Sequence, residues 1–192
     1  LRKRDVDVAI TASTGIAATH ISGRTIHSWS GIGIKSTLSK RDLSDISKNR
    51  RVVKQIRNAK VLIIDEVSML APETIDMADA VCRTARENPD PFGGLQVVFV
   101  GDFFQMPPVA KTEDVDKNEI NQLFETERTN RFSYSSSAWE RAKPVVCYLT
   151  EQHRQDDSIY SALLGAIRAN LFNDIHLGHI TARVIPEHKA PE

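Results

Sequence analysis

The sequence predicts an α/β domain built on a parallel β-sheet flanked by helices, and three observations predict it. Short runs of aliphatic and β-branched residues recur along the chain, each run is continuous rather than alternating, and amphipathic helical patterns lie between them. A run that is apolar on both sides reads as a strand covered on both faces, which is the situation of a parallel strand between helix layers.

The first run, "VAITA" (Val8–Ala12), leads into Ser13 and Thr14, whose hydroxyls precede a helical pattern starting near Gly15. The second is "VLIID" (Val61–Asp65), the third "LQVVFVGD" (Leu95–Asp102) and the fourth "VVCYL" (Val145–Leu149). After the second, "APETIDMADAVCRTARENP" has Pro72 in first-turn position and Glu73 and Asp76 near the positive helix end. Its apolar Ile75, Met77, Ala80 and Val81 fall near helical spacing, and Asn88 and Pro89 stop it. "DDSIYSALLGAIRAN" repeats the theme, with Ile159, Leu163 and Ile167 on one stripe. The polar segment Ala110–Ser137 reads as a long loop with one short helix.

With 192 residues, 41% of them hydrophobic, and 25 basic residues against 25 acidic ones, the composition is that of one ordinary globular domain. Zero net charge announces no nucleic-acid partner, and the local basic run "KNRRVVKQIRNAK" (Lys48–Lys60) reads as a solvated helix face. Cys82 and Cys147 sit in apolar or helical surroundings, so both are expected to be core thiols of a protein in a reducing, intracellular compartment. No apolar run approaches the ~20 residues of a membrane span, and no secretory signal opens the chain, so no membrane partner is expected. His176 and His179 have metal-like spacing without a supporting Cys or acid cluster, and are expected to be solvated helix residues.

The chemistry concentrates where the apolar runs end. In an open parallel sheet ligands sit outside the carboxyl ends of the strands, which is where Asp65 and Glu66 stand in "KVLIIDEVSML". An Asp there can hold Mg²⁺ through its water shell, and a Glu beside it can orient and deprotonate a water that attacks a γ-phosphate. Four apolar residues followed by Asp-Glu form the Walker B pattern of nucleotide hydrolases; the alternative is a buried strand ending in two solvated acids. "VVFVGDFFQMPPV" ends at the same edge and offers Asp102 and Gln105, with Pro107 and Pro108 stiffening the exit. A Gln there can donate to a γ-phosphate oxygen and accept from the attacking water.

"TASTGIAATHISGRTIHSWSGIGI", "DEVSML", "PFGGLQVVFVGDFFQMPPV" and "LTEQHRQDD" resemble, in order, motifs Ia with Ib, II, III and IV of the Pif family. These are RecD-like superfamily 1 DNA helicases that move 5′-to-3′ on single strands. "MADAVCRTARENPDPFGGLQ" resembles the stretch that separates Pif proteins from other RecD relatives, and the similarity runs from about Val8 to about Arg168. The resemblance implies a RecA-like P-loop NTPase fold that uses ATP and Mg²⁺, with Asp65 serving the metal through water and Glu66 acting as base. Gln105 would couple the γ-phosphate to domain movement, and Arg154 in "EQHRQ" would neutralise charge on the transferring phosphoryl group. No catalytic role is inferred for His153. Ser13, Thr14, Gly15, Thr25 and His27 would contact single-stranded DNA, and Trp29 is either a stacking platform or a core residue. Residues 31–58 are where the family inserts a small wedge.

The 192 residues contain no G-x-x-x-x-G-K-[ST] loop. The family places that loop before the segment that opens this chain, so the fold is expected to be incomplete at its N-terminus, with an apolar sheet edge or groove exposed. The remaining helicase domain, with motifs V and VI, is expected beyond the last residue. The expected function is that of a fragment of an ATP-dependent 5′-to-3′ DNA helicase acting in DNA repair, recombination or telomere maintenance. The alternative is a non-hydrolysing DNA-binding or partner-binding module. The hydrolysis set Asp65, Glu66, Gln105 and Arg154 favours the first, since a binding module has no need of it. A clamp-loader type ATPase is disfavoured by "PFGGLQ" and "GDFFQMPPV".

Overall fold

The computed structural model describes residues 6–108, 131–149, 151 and 157–184. The chain divides into two units, Leu1–Val145 and Val146–Glu192.

Among the described residues, the first unit holds a four-stranded sheet: β1 (Val8–Ala12), β2 (Arg24–Thr25), β3 (Val61–Asp65) and β4 (Gln96–Phe99), in the order β2-β1-β3-β4 and parallel throughout. The helices that accompany it are α1 (Gly15–His20), α2 (Ile26–Ser30), α3 (Lys40–Lys48), α4 (Arg50–Asn58), α5 (Pro72–Arg86) and α6 (Ser137–Ala142). The register sets Ala12 opposite both Thr25 and Asp65, so β2, β1 and β3 reach the same line at their carboxyl ends. Ile64 lies opposite Phe99, and Val100 N–H donates to Ile64 O at 2.9 Å, which carries the ladder one step past β4.

The core is aliphatic. Leu62 and Ile64 of β3, Ile26 and Trp29 of α2, Val52 and Ile56 of α4, and Ile75, Ala78, Val81 and Cys82 of α5 form one buried cluster. At about 1.5–3 kcal/mol for each large side chain buried, such packing outweighs the intrinsic propensities of these short helices. α5 begins as the sequence predicts, with Pro72 in its first turn, and ends on Glu87 in the left-handed region (φ 53°). The guanidinium of Arg57 donates to the Glu87 carboxylate and, at 2.6 Å, to Ala85 O.

Beyond α5 the chain turns through Pro91–Gly94, where Phe92, Gly93 and Gly94 all have positive φ (52°, 63° and 72°). A Cβ on Gly93 would stand 2.7 Å from Cys82 O, so only glycine fits there. Phe92, a non-glycine residue in the same region, is fully buried, and its N–H donates to Asp79 Oδ1 at 2.7 Å. Asp79 is itself fully buried. Its Oδ2 accepts from Arg83 Nε at 2.8 Å and from Arg141 Nη2 of α6 at 2.7 Å. One carboxylate thus joins α5, the turn into β4 and α6, with its charge matched by hydrogen-bonded guanidinium groups.

Three expectations are corrected. The run Val145–Leu149 forms no strand; Val145 is 89% and Leu149 94% exposed. Apolar composition creates a strand only where a neighbour takes its amides and carbonyls, and among the described residues this run has none. For the same reason Cys147 is exposed rather than a core thiol, whereas Cys82 is buried and burial pushes its thiol pKa up. The third run is also shorter than predicted. β4 is an edge strand among the described residues, so Val98 and Val100 are partly exposed, and a groove of about 460 Å³ lies beside it, lined by Phe92, Leu95, Val97, Phe99, Ala142 and Pro144.

The second unit contains α7 (Ser158–Arg168) and α8 (Asp174–Thr181), capped by Asp157 and Asn173. Of the predicted stripe only Leu163 is buried, and Ile159 and Ile167 are exposed. His176 Nδ1 accepts from Asn173 N–H at 3.2 Å, so this ring closes the start of α8. Of the predicted long loop, residues 110–130 lie outside the described residues; its described remainder holds a 3-10 turn, Ser133–Ser135, before α6.

Candidate active site at the carboxyl edge of the sheet

Asp65 is the last residue of β3 and is partly exposed. Its Oδ1 accepts the Glu66 N–H at 3.0 Å, and its Oδ2 has no donor among the described residues, so one hard oxygen is left for a ligand. That suits a cation which keeps most of its own waters and asks the protein for one carboxylate, the behaviour of Mg²⁺. Among the described residues no group of three or more His, Cys, Asp or Glu side chains could form an all-protein cage.

Glu66 has φ 51° and ψ 42°, a left-handed conformation that a non-glycine residue adopts only where its surroundings hold it there. The hold is visible. Val67 N–H donates to Val100 O at 2.9 Å, and Gly101 runs so close that a Cβ on it would lie 3.1 Å from the amides of Val67 and Ser68. The turn after β3 and the exit of β4 therefore fix each other, bringing Glu66 and Asp102 to the same edge. Asp102 organises the next turn, accepting Phe104 N–H on Oδ1 at 3.1 Å and Gln105 Nε2 on Oδ2 at 3.3 Å, while Gln105 N–H donates to Asp102 O at 3.0 Å. Gln105 is exposed.

Sequence reasoning missed the part played by Phe103. Its ring meets Tyr134 at 5.0 Å, Phe132 at 5.8 Å and Trp139 at 6.2 Å between centroids, and Trp139 stacks on Phe99 at 4.3 Å. This aromatic cluster anchors the loop that carries Gln105. The only signal in the sequence was the density of aromatic residues in "FVGDFF" and "RFSYSSSAW".

On the other side of Asp65, Ser13 N–H donates to Asp65 O at 3.1 Å, so the segment expected to meet the single strand and the acidic pair share one hydrogen-bonded row. Ser13 Oγ is buried without a partner. Thr14 Oγ1 accepts Ala17 N–H at 3.2 Å and Thr25 Oγ1 accepts Ser28 N–H at 3.2 Å, so both are N-caps whose hydroxyl hydrogens remain to be donated. Gly15 is exposed, and a Cβ on it would meet nothing within 4 Å. His27 is partly buried, and burial lowers its pKa below the ordinary imidazole value. Trp29, platform or core by sequence, belongs to the core at 5% exposure. Ser13, Thr14, Thr25, Asp65, Glu66, Asp102 and Gln105 thus come from neighbouring strand ends of one sheet. Arg154 and His153 lie outside the described residues.

Comparison with known proteins bears on the family and the fold. The family model described as PIF1-like helicase matches residues 1–183. The ATP-dependent DNA helicase Pif1 of Psychrobacter sp. is 48% identical over 155 residues, covering 81% of this chain and 22% of that protein. The crystal structure of Pif1 helicase from Candida albicans superposes with a TM-score of 0.79 at 32% identity, covering 100% of this chain and 40% of the other. A Pif1 helicase from Bacteroides, solved in complex with ADP-AlF3 and ssDNA, superposes with a TM-score of 0.75 at 28% identity, covering 93% of this chain and 41% of the other. The chain therefore spans about a fifth of that curated relative's length. With a family model matching nearly its whole length and this sheet edge in place, the chain belongs to the PIF1-like helicase family.

Proposed function

We propose that the protein to which this chain belongs is an ATP-dependent 5′-to-3′ DNA helicase, and that these residues form one wall of its nucleotide site and one side of its single-strand track. The observation that carries the reading is the shared edge: Asp65, Glu66, Asp102 and Gln105 stand beside Ser13, Thr14 and Thr25 on adjacent, hydrogen-bonded strand ends. It is supported by a family relative that holds both ADP-AlF3 and ssDNA.

In this reading Asp65 would hold Mg²⁺ through water, and the ion, when bound, would offset charge on the phosphates of ATP. Glu66 takes the proton from the attacking water. Gln105 leaves Asp102 to donate to the γ-phosphate, and Arg154 supplies a planar fork of donors to the charge that develops on transfer. The phosphate-cradling loop and its Lys come from residues outside this sequence, as does the remaining helicase domain. Ser13, Thr14, Gly15, Thr25 and His27 hold sugar and phosphate groups that every nucleotide shares. Of the span 31–58, α3 and α4 pack on the core, and the loop before α3, with Ile34 100% exposed, is the part suited to act as a small wedge. Such a motor works inside the cell, in DNA repair, recombination or telomere maintenance.

The test is hydrolysis by the whole protein. Glu66→Gln keeps nucleotide binding and lowers DNA-stimulated turnover on the order of a hundredfold or more, because the base is lost and the cradle is not. Arg154→Lys is severely impaired, since a point charge does not reproduce the fork. Parental turnover in either variant removes that residue from the catalytic set, and DNA-stimulated turnover by the 192-residue chain alone, lost in its Glu66→Gln form, refutes the assignment of the cradle to other residues.

A further inference from the structure

Residues 40–60 carry eight basic residues against two acids, in a chain whose charges cancel as a whole. Both acids are engaged locally, Asp42 with Lys35 at 2.9 Å and Asp45 with Lys48 at 3.5 Å. α4 contains no acid at all. Its Arg50, Arg51 and Lys54 are exposed and, among the described residues, form no ion pair. Lys54 lies four positions from Arg50 and three from Arg51, so the three project to one side of the helix.

Three features separate this face from an ordinary solvated one. Arg50 and Arg51 are the first two residues of α4, at the positive end of the helix dipole, where a cation disfavours the helix and an acid favours it. A charge placed against the local preference of its element points to use rather than to folding. The exposed residues of α4 are Arg50, Arg51, Lys54, Arg57 and Asn58, with no aromatic or aliphatic side chain among them. Single-strand sites combine charge with stacking platforms, so a face of charge alone suits a polymer that shows only its backbone. The face is also continuous with the single-strand edge: Arg24 Nη1 donates to Gln55 Oε1 of α4 at 3.5 Å, and Arg24 is exposed and adjacent to Thr25.

We propose that Arg50, Arg51 and Lys54, together with Arg24, grip the phosphate backbone of a DNA duplex that adjoins the single strand held at Thr25. The duplex arm rests on the reading of that edge as the strand track; the phosphate grip itself does not. Interactions of this kind carry no sequence information, and their strength falls steeply with salt.

The test uses the 192-residue chain and three fluorescent probes: a blunt DNA hairpin, the same hairpin with a single-stranded tail, and the tail alone. Anisotropy titrations are run across a range of KCl for the parent, for Arg50→Glu with Arg51→Glu, and for Arg50→Gln with Arg51→Gln. Acids at the start of α4 favour the helix, so the Glu pair holds or raises the Tm and any loss of binding is not unfolding. The expected result is hairpin affinity down roughly tenfold or more, with the slope of log K against log salt shrinking by about 0.9 for each phosphate no longer neutralised. Affinity for the tail alone stays near that of the parent, and the Gln pair gives a smaller loss in the same direction. A hairpin not bound by the parent, or bound equally by the Glu pair, overturns the proposal. Equal weakening of tail and hairpin also overturns it, because the face then serves the single strand. If Thr14→Ala with His27→Ala leaves tail binding intact while the hairpin result stands, the strand-track reading fails and takes with it the placement of the duplex beside Thr25, while the phosphate grip stands.

Discussion

Replacing Asp79 tests the carboxylate that joins α5, the Pro91–Gly94 turn and α6. Two kinds of partner would be lost, and their surroundings decide which matters. The Arg83 and Arg141 side chains are 34% and 41% exposed, so each recovers water when the carboxylate is removed and each pair contributes only about 0–1 kcal/mol. The Phe92 N–H belongs to a fully buried residue, and a buried amide that loses a charged acceptor costs about 1.5–3 kcal/mol. Asp79→Ala is therefore expected to cost about 2–4 kcal/mol, most of it from the orphaned amide. At about 2–4 °C per kcal/mol for a chain of this size, the Tm falls by roughly 5–15 °C. Asp79→Asn keeps an acceptor for Phe92 N–H and gives up the charge, so about 1–2 kcal/mol is lost. Thermal and urea unfolding followed by circular dichroism measure both. If Asn proves as damaging as Ala, the ion pairs dominate and the ranking is wrong; if Ala costs less than about 1 kcal/mol, the amide finds water and the burial argument fails.

Other consequences are as direct. Gly93→Ala places a Cβ 2.7 Å from Cys82 O at φ 63°, and is expected to lower stability by about 2 kcal/mol or more, read from the urea midpoint; a neutral result would mean the turn relaxes freely. His27 has a folded-state pKa below the usual 6.5, so the unfolded chain binds the proton more readily. Stability then rises with pH through the window between the lowered value and 6.5 and is lost on acidification; His27→Gln flattens that slope, and an unchanged slope would place the proton elsewhere. Thr14→Ala with His27→Ala in the whole protein is expected to weaken single-strand affinity alike for different base sequences; loss confined to particular sequences would contradict a backbone grip.

β1, β3 and β4 were legible because a continuous apolar run between helical patterns has few other uses, and the acidic strand ends were legible because parallel sheets present ligands at that edge. Val145–Leu149 carried the same apolar signal and failed, since a strand is a property of two segments and only one was read. Trp29 could not be decided from its neighbours in sequence; the packing of α2 against β1, α4 and α5 buries it. Nothing in the sequence around Asp79 distinguishes it from any other polar residue of an amphipathic helix. Its partners come from positions 83, 92 and 141, a convergence that no local pattern encodes.

The bond from Ser13 N–H to Asp65 O leaves no slack between the two halves of the edge. Thr14, which would touch the strand, is one residue from that amide, and the Asp65 carbonyl belongs to the same peptide plane as the Glu66 nitrogen, which in turn donates to Asp65 Oδ1. On the proposed reading, a tug on the nucleic acid that tilted the Ser13 amide would therefore also tilt the peptide between Asp65 and Glu66, the proposed metal ligand and base. Grip and trigger would then be mounted on one bracket.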